Sequence, residues 1–306
     1  MKDSLAIKSQ LKNDFKIGIA IATYNSDKVI RRCLYPFKNQ KFKVVIFDDA
    51  STDKTLEMAR SIIPDLISIN GDGSGWWGGG TASAVDKCFS MGCDFALMLN
   101  PDAIISAEDI KQMVDYTFKK SHLITAGLVV RDDDIDKLCW GGSKRINLFG
   151  FNLHINRYIY KKNFSVSNIS SQPYETHEVH GRGVLISRSV YKMIGTLDWK
   201  EFPHYGADND YSLRARSAGI KLTILPSVKV QLAASSSGMK IRSKPFSILR
   251  LYEVYKFLTF RKNGEYINVL WRLTRRHNTL ITIIPSFLLH LIYIIFRKLS
   301  QNRLLI

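Results

Sequence analysis

The sequence predicts an α/β protein with a doubly wound, mostly parallel sheet and a helical, membrane-associating extension at its C-terminus. Short apolar runs alternate with helical patterns over residues 15–130, which is typical of strand–helix–strand units. Polar clusters directly follow several of these runs, at the edge where open α/β sheets bind ligands. From residue 236 onward the chain becomes basic, aromatic and aliphatic, so separate helices are expected there.

The elements of the first half follow from their local patterns. Strands are predicted at apolar, often β-branched runs, and helices where apolar residues recur every three or four positions. Ser51 or Thr52 can cap the second helix, which Pro64 ends. A glycine-rich segment, 71–80, precedes the third helix. The predicted strands are 17–23, 42–47, 66–69, 95–99 and 123–130, and the predicted helices are about 28–37, 54–62, 81–91 and 107–119.

The second half of the chain is less regular. Residues 132–173 have no clear periodicity, so loops or a small antiparallel insert are expected. Ser235–Gly238 has the composition of a linker, which divides the chain into a domain, 1–235, and an extension, 236–306. Within the domain we expect two halves, about 15–130 and 131–235, the second with a strand at 183–186 and helices near 189–194 and 208–217.

The positive charge of the chain is concentrated in the extension. The formal net charge is +17, and from Lys240 onward 13 Lys and Arg stand against Glu253 and Glu265. A tail of this kind meets a polyanion, either nucleic acid or an anionic membrane. Because its basic residues are interleaved with long aliphatic side chains and no nucleic-acid-binding motif is present, a membrane is expected and nucleic acid is not.

Cysteine usage and the N-terminus favour a cytoplasmic protein. The four cysteines, Cys33, Cys88, Cys93 and Cys139, have neither metal-site nor redox-pair spacing and are expected to be reduced. The polar N-terminus has no secretory signal. We therefore expect the protein to stay in the cytoplasm.

Residues 279–296 carry a long apolar run of the extension. The run just reaches the ~18 residues that can span a bilayer, and Pro285 and His290 interrupt it. Arg276 before it and Arg297 after it place positive charge on both sides, which disfavours a single span. We expect a helix that lies in the membrane interface, with anionic headgroups as its partner. A membrane span, a re-entrant hairpin and a homo-oligomer interface stay open as alternatives.

The tripeptide Asn100-Pro101-Asp102 follows the apolar run 95–99. It places one carboxylate at the carboxyl edge of the predicted sheet. A carboxylate there suits a divalent cation that neutralises a diphosphate. Taken alone, the same tripeptide is also an ordinary turn, so other motifs have to decide between the two interpretations.

Four segments occur in an order that resembles a known family. They are Ile19–Asn25, Phe47–Asp53, Leu99–Asp102 and Tyr205–Arg216. Together they resemble the family 2 inverting glycosyltransferases of the GT-A fold, especially bacterial enzymes that extend surface polysaccharides, such as rhamnosyltransferase-like members. The resemblance covers about residues 15–235 and implies a Rossmann-like GT-A sheet with a nucleotide sugar at its edge.

The resemblance implies a donor site at the ends of the first strands. Asp48 and Asp49 match the carboxylates that hold the base and ribose of the nucleotide, although a helix-capping turn is the alternative. Thr23, Tyr24 and Asn25 are expected on the other side of the base. Tyr24 either stacks on the base or packs against the protein.

The resemblance also implies a divalent cation, Mg²⁺ or Mn²⁺. Asp102 matches the last position of the family's metal-binding Asp-x-Asp motif, and Asn100 stands at the first position. Many relatives have a further metal-ligating His about two dozen residues after the catalytic base, but residues 228–234 contain none. We therefore expect Asp102 to be the only charged protein ligand, with the cation held weakly and mostly through the donor diphosphate.

Two further segments are assigned to donor binding. Trp76, Trp77 and Gly78 lie in the glycine-rich segment, where indole faces suit a sugar and glycines allow a phosphate to approach the backbone. A lid packed over the sheet is the alternative. Arg182 lies in a turn that resembles the family's turn before the acceptor site. There it either pairs with diphosphate oxygens or remains a surface arginine.

Asp208 matches the family's catalytic base. It stands at the start of a predicted helix, whose N-terminus stabilises an anion. A closer subgroup of relatives reads Pro-His-Tyr-Gly-Ala-Asp here, as residues 203–208 do, and Ala207 stands where many relatives have Glu. His204, Tyr205 and Asp210 are expected on the acceptor side, with Asp210 as the second candidate for the base.

The expected function is inverting transfer of a sugar from a UDP- or dTDP-sugar to a lipid-linked glycan or oligosaccharide. The expected location is the cytoplasmic face of the bacterial inner membrane, in the synthesis of O-antigen, capsule or another surface polysaccharide. A nucleotidyltransferase would need a basic GxGxR-like run near the N-terminus, where this chain has Ile21–Asp27. A non-catalytic nucleotide- or glycan-binding scaffold is the second alternative, and the presence of both Asp102 and Asp208 argues against it.

Overall fold

The first half of the fold alternates strands and helices, as the sequence predicts. The structure is a computed structural model that describes residues 14–120, 123–148, 151–203, 205–232, 245–259 and 267–300. The strands are β1 (Ile17–Thr23), β2 (Lys43–Asp48), β3 (Ile67–Asn70), β4 (Phe95–Leu99), β5 (Ala103–Ile104), β6 (Leu123–Arg131), β7 (Leu138–Trp140), β8 (Ser143–Leu148), β9 (Phe151–Tyr158), β10 (Tyr174–Thr176), β11 (Val184–Ser187) and β12 (Lys221–Leu232). The helices are α1 (Asp27–Leu34), α2 (Thr55–Ile62), α3 (Trp76–Ser90), α4 (Ala107–Lys119), α5 (Arg188–Ile194), α6 (Ala207–Ser217), α7 (Ile248–Thr259), α8 (Ile267–His277) and α9 (Ile283–Ser300).

The main sheet brings the ends of three strands to one edge. Over the described residues its order is β10-β12-β6-β11-β4-β1-β2-β3, with β5 beside β12 and β7 beside β6. β1 runs parallel to both β2 and β4, whereas β11 runs antiparallel to β4 and β6. The carboxyl ends of β1, β2 and β4 therefore lie at the same edge, and the predicted donor residues follow these ends. The predicted α/β class is confirmed.

The central strands are apolar on both faces because both faces are covered. Every residue of β1 and β4 is buried, which explains why their sequences do not alternate between apolar and polar residues. Helix α4 begins where the sequence predicts, since the Ser106 side chain accepts a hydrogen bond from Asp109 N at 3.0 Å. Apolar runs and helix caps in the local sequence therefore determine many of the elements in the first half of the fold.

Helix α3 begins earlier than the sequence predicts. The glycine-rich segment is predicted to be a loop up to Gly80, but residues 76–80 already belong to the helix. A Cβ on Gly78 would lie 2.6 Å from the Pro203 carbonyl oxygen, and one on Gly80 would lie 2.8 Å from the Ala22 Cβ. The prediction of a loop between β3 and the helix is wrong, because close packing of the helix explains these glycines and backbone flexibility does not.

The irregular second half contains the predicted small antiparallel insert. Within 132–173 the chain forms β7 and the hairpin of β8 and β9. The long strand β12 is not predicted by the sequence pattern. It pairs in parallel with β6 on both sides of a bulge between Leu225 and Lys229, and Pro226 lies in this bulge. A bulge is one of the few places inside a sheet that accept a proline.

The extension packs against the domain through two of its helices. Helix α8 lies beside α6, and α9 lies beside α8 and β9. The predicted linker and the boundary at 235/236 lie outside the described residues. Among the described helices, Ile283–Ser300 is long and apolar enough to cross a membrane. Pro285 lies in its first turn, where no intrahelical N–H is needed, so it does not interrupt the helix as the sequence suggests.

Candidate active site

The Asp102 side chain follows β4 and is half-buried. In the part of the chain that the structure describes, its Oδ1 atom is buried and has no hydrogen-bond partner. The turn that carries it is well defined: Ala103 N donates to the Asn100 carbonyl at 3.1 Å, and the Cys33 thiol donates to the same oxygen at 3.5 Å. A buried carboxylate oxygen without a donor is costly unless a cation neutralises it.

These residues fit a divalent cation held by a single protein carboxylate. Mg²⁺ and Mn²⁺ prefer oxygen ligands, and Asp102 Oδ1 supplies one. The Asn100 Oδ1 atom already accepts a hydrogen bond from Trp77 Nε1 at 2.9 Å. Among the described residues, no group of three or more His, Cys, Asp and Glu could hold a metal. A cation here would therefore need most of its ligands from a bound donor or from water.

The ends of β1 and β2 bring the predicted base-binding residues together. Asn25 has a left-handed φ of 47°, and its N–H donates to Ser51 Oγ at 2.8 Å. The Ser51 hydroxyl donates to Asp48 Oδ1 at 2.5 Å. Tyr24 is 61% exposed, so its ring does not pack into the core. The Thr23 hydroxyl is buried and has no partner among the described residues, so a ligand at this edge would find an unpaired polar group there.

Asp49 caps helix α3. Its carboxylate accepts hydrogen bonds from Gly73 N at 3.0 Å, Gly75 N at 3.1 Å and Trp76 N at 2.7 Å. Asp53 caps α2 by accepting from the backbone N–H of the first residue of that helix at 3.0 Å. Asp49 therefore caps a helix, as the alternative interpretation of the sequence predicts, and that helix is α3. Its contact with a ribose stays a prediction.

Trp77 connects three segments that are far apart in the sequence. Its indole N–H donates to Asn100, and its ring lies against Gly181, where an added Cβ would be 1.9 Å from the ring. The next residue, Gly78, donates its N–H to the Pro203 carbonyl at 2.9 Å. Trp77 is partly buried and packs against the core. It thus joins the turn that carries Asn100 and Asp102 to the turn before β11.

Asp208 lies in the first turn of α6 beside a second carboxylate. Its pKa is raised, mainly because burial disfavours the anion; His180 opposes the rise and the charge of Glu178 adds to it. The Asp208 Oδ1 atom accepts from Asn209 N at 3.0 Å, and Asn209 Nδ2 donates to Glu178 Oε1 at 2.9 Å. A raised pKa makes the Asp208 carboxylate a stronger proton acceptor than an ordinary aspartate.

Glu178 and its partners are functional candidates that the sequence does not reveal. Glu178 is fully buried and ion-paired with Arg145, and it also accepts from Ser143 Oγ at 3.1 Å. Burial alone would raise its pKa, but Arg145, His180 and the hydrogen bonds it accepts hold the pKa below its usual range. The His180 ring stacks on Trp140 at 4.5 Å. No sequence spacing connects Glu178 with Arg145 or Ser143. The sequence could have indicated Glu178 only through its position as an acidic residue shortly before the predicted turn at Arg182.

Asp210 is buried and faces the extension. Its Oδ1 atom lies 2.8 Å from His277 Nε2 and 3.2 Å from Arg276 Nε, and its Oδ2 atom accepts from Arg214 Nε at 2.8 Å. Burial alone would raise its pKa, but these partners hold the pKa below its usual range. Both oxygens are therefore engaged by cations, which suits a structural carboxylate better than a base.

The remaining predicted residues lie near this cluster. Tyr205 precedes α6 and has a raised pKa, mainly because of burial, while the charge of Arg182 opposes the rise. The acceptor contact of Tyr205 and the diphosphate contact of Arg182 stay predictions. His204 lies outside the described residues.

The fold and these residues define a class of protein. The sequence model described as glycosyl transferase family 2 matches residues 18–195, and the chain belongs to this family. The matched residues include the ends of β1, β2 and β4, so the predicted donor residues at these ends lie within the family 2 domain. No curated protein sequence matches the chain.

Two solved structures show similar folds. The chain aligns with GalNAc-T7, solved with UDP, GalNAc and Mn²⁺, at 14% identity and a TM-score of 0.55, covering 90% of this chain and 54% of that one. It also aligns with the mannosyltransferase PcManGT from Pyrobaculum calidifontis, solved with GDP-Man and Mn²⁺, at 14% identity and a TM-score of 0.51, covering 97% of this chain and 76% of that one. The chain thus spans about half the length of GalNAc-T7, and both alignments support the GT-A-like fold.

Proposed function

We propose that this protein is an inverting glycosyltransferase that moves a sugar from a UDP- or dTDP-sugar to a lipid-linked glycan. We place it at the cytoplasmic face of the bacterial inner membrane, in the synthesis of a surface polysaccharide. One observation carries the proposal. Trp77 joins the turn of Asp102 to the turn before β11, and the next residue, Gly78, donates its N–H to the Pro203 carbonyl in the segment that leads to Asp208. This connection supports the proposal that Asp102, suited to a cation, and Asp208, suited to proton transfer, belong to one site.

In the proposed reaction, Asp208 takes the proton of the acceptor hydroxyl while that oxygen bonds to the anomeric carbon. The bond from the anomeric carbon to the diphosphate oxygen breaks, and the nucleoside diphosphate leaves. Because the nucleophile attacks from the face opposite to the leaving group, the configuration inverts. We assign to Arg182 the pairing with diphosphate oxygens, since a guanidinium can donate two parallel hydrogen bonds to them. Asp102 would hold the divalent cation, which when bound would stabilise the charge that develops on the departing diphosphate.

The assignment of the base is tested with Asp208→Asn, which keeps the size of the side chain and removes its basicity. We expect donor hydrolysis and sugar transfer to fall by about 10²–10⁴-fold. Asp65→Asn, at an exposed position far from the site in the sequence, is the matched control and should retain activity. Unchanged turnover in Asp208→Asn would show that Asp208 is not the base. No turnover in the wild type with any donor would favour the non-catalytic scaffold.

The donor and the cation are tested by thermal shift. The panel is UDP-glucose, UDP-N-acetylglucosamine, dTDP-rhamnose and GDP-mannose, each with and without Mn²⁺. We expect a UDP- or dTDP-sugar to raise the melting temperature most, and Mn²⁺ to add to the shift only when nucleotide is present. Asp102→Asn should abolish the increment due to Mn²⁺. A large shift with Mn²⁺ alone would contradict a weakly held cation.

The proposal of membrane attachment rests on which side chains of helix α9 are buried and which are exposed. The buried residues of α9 are Ser286, His290 and Ile294, so two of the three are polar, whereas its exposed residues include Ile292, at 62%, and Phe296, at 64%. A helix on the surface of a soluble protein has the opposite arrangement. Apolar side chains pointing outward, with Arg297 at the C-terminal end, match a lipid interface with anionic headgroups.

Vesicle binding tests this attachment. Full-length protein should sediment with vesicles that contain phosphatidylglycerol and bind weakly to pure phosphatidylcholine vesicles. Ile292→Glu should reduce sedimentation at least tenfold, while Ile135→Glu, an equally exposed isoleucine outside the extension, should not. Release by high salt or alkaline carbonate indicates peripheral attachment, and resistance to both indicates a membrane span. Concentration-dependent dimers without vesicle binding would instead support the oligomer interface.

A further inference from the structure

Helix α8 contacts the helix that carries Asp208, although α8 belongs to the extension. His277 Nε2 and Arg276 Nε both reach Asp210 Oδ1, at 2.8 Å and 3.2 Å. Asp210 stands two positions after Asp208 in the first turn of α6 and is fully buried. Hydrogen bonds to a buried ion are strong and have little freedom of geometry. The first turn of α6 is therefore attached to α8 at a fixed distance.

The same helix also holds the chain segment that leads into α6. Arg276 forms an ion pair with Asp198 at 2.5 Å, and Arg272 donates to the Glu201 carbonyl at 2.6 Å. Gly206 caps α6 with a left-handed φ of 89°, and a Cβ there would lie 2.7 Å from Val269 Cγ1. Helix α8 therefore contacts both the first turn of α6 and the residues before it.

The opposite side of α6 is attached to the domain. Asn209 donates to Glu178, and Val179 N donates to Ser212 Oγ at 3.1 Å. The Ser212 hydroxyl in turn donates to the carbonyl of Asp208 at 2.8 Å. Asp208 thus lies in a helical turn that is held from two sides, by the Glu178 segment and by α8. Loss of either attachment leaves one side of the turn unsupported.

We propose that helix α8 is a positioning element of the transferase site, in which His277 and Arg276 fix Asp210 and so place Asp208. The proposal rests on the proposed function in one respect, namely that Asp208 is the base. His277 and Arg276 act through Asp210, so they are positioning residues. A misplacement of about 1 Å in a reacting group can lower turnover by about 10²-fold.

The test compares three variants of the full-length protein. His277→Ala removes the contact, and alanine favours the helix. His277→Gln keeps an N–H donor at a similar reach and is the conservative rescue. Arg275→Ala is the matched control, because it removes an arginine from the same helix whose partner, Glu201, lies in an exposed ion pair. Turnover is measured as hydrolysis of whichever donor in the thermal-shift panel is hydrolysed fastest, and nucleotide affinity is measured with UDP.

We expect His277→Ala to lower kcat at least tenfold with the Kd for UDP changed less than twofold. His277→Gln should recover most of the loss, and Arg275→Ala should match the wild type. A folded His277→Ala protein with kcat within twofold of the wild type would overturn the proposal. A loss of kcat that His277→Gln does not recover would also overturn the proposal. The same holds for a loss of kcat accompanied by an equal loss of UDP affinity, because either result indicates a general structural defect.

Amide hydrogen exchange separates this inference from the proposed function. His277→Ala should raise the exchange rate in residues 205–212, whether or not Asp208 is the base. Normal exchange there would contradict the positioning role. Full activity of Asp208→Asn together with faster exchange would instead contradict the proposed base. If His277→Ala does not fold, Arg276→Ala replaces it in all measurements, because that variant keeps the contacts of Asp210 with His277 and Arg214.

Discussion

The contact between Gly78 and the Pro203 carbonyl gives a sharp test of how the two halves of the site are held together. Gly78→Ala would place a Cβ 2.6 Å from that oxygen and 2.8 Å from the Phe202 carbonyl oxygen. Both atoms belong to the backbone, so they cannot move aside as a side chain would. The next residue offers a matched control: a Cβ at Gly79 would meet the Trp199 ring at 3.3 Å, and that indole is 40% exposed and able to shift.

The two substitutions differ mainly in this clash. Both gain up to about 1 kcal/mol of helix propensity. Gly78→Ala then loses ~1–3 kcal/mol to overpacking and about 1 kcal/mol with the hydrogen bond from Gly78 N to Pro203. We therefore expect Gly78→Ala to lower the free energy of unfolding by about 1–3 kcal/mol. Gly79→Ala should range from neutral to about 1 kcal/mol more stable.

Urea unfolding followed by circular dichroism measures the two free energies, and melting temperatures should differ by a few degrees in the same direction. Gly78→Ala should also raise KM for the donor, because it pushes the segment before α6 away from the helix that carries Trp77. Equal stability of the two variants would refute the reasoning. It would show that the helix accommodates a methyl group at Gly78 without displacing Pro203.

Three further predictions concern the carboxylates of Asp49, Asp208 and Glu178. Asp49→Ala should lower the free energy of unfolding by about 1–3 kcal/mol, because three backbone N–H groups at α3 lose their acceptor; urea unfolding checks this. Asp208→Asn should raise the melting temperature at neutral pH, since the raised pKa makes the ionised carboxylate costly in the folded state. That gain should fade as the pH falls below the usual pKa of an aspartate, where the carboxyl group is protonated in both the folded and the unfolded state. Glu178→Gln should destabilise the protein by about 3–5 kcal/mol, because it removes the buried negative charge that pairs with the buried Arg145 guanidinium. In the wild type, the stability due to Glu178 should be present above the usual pKa of a glutamate and lost as the pH falls through its lower folded-state pKa.

The sequence was sufficient for the parts of the fold that depend on local patterns. Buried strands such as β1 and β4 are short apolar runs, and α4 has its cap in Ser106. The position of Asp102 at the sheet edge follows from the same logic, because a turn after a parallel strand can only lie at the carboxyl edge. The order of strands, turns and helices along the chain is therefore enough to predict these features.

The sequence was not sufficient where a residue's role depends on a distant partner. The glycines of α3 indicate a loop when considered alone, and only the packing of Pro203 against Gly78 explains why a helix needs them. The ion pair of Glu178 with Arg145 and the contact of Asp210 with His277 join residues with no shared spacing. Such pairs are set by the tertiary fold, and no periodicity in a single sequence encodes them.

The burial of Asp210 has a practical consequence for preparing this protein. The proposed membrane attachment suggests removing the apolar C-terminal helices to obtain a fragment that is easier to handle. Here a chain cut before α8 would leave the Asp210 carboxylate with Arg214 as its remaining described cation and would uncover the apolar surface around Gly206. A soluble form is therefore better made by replacing outward-facing residues of α9, such as Ile292, than by truncation.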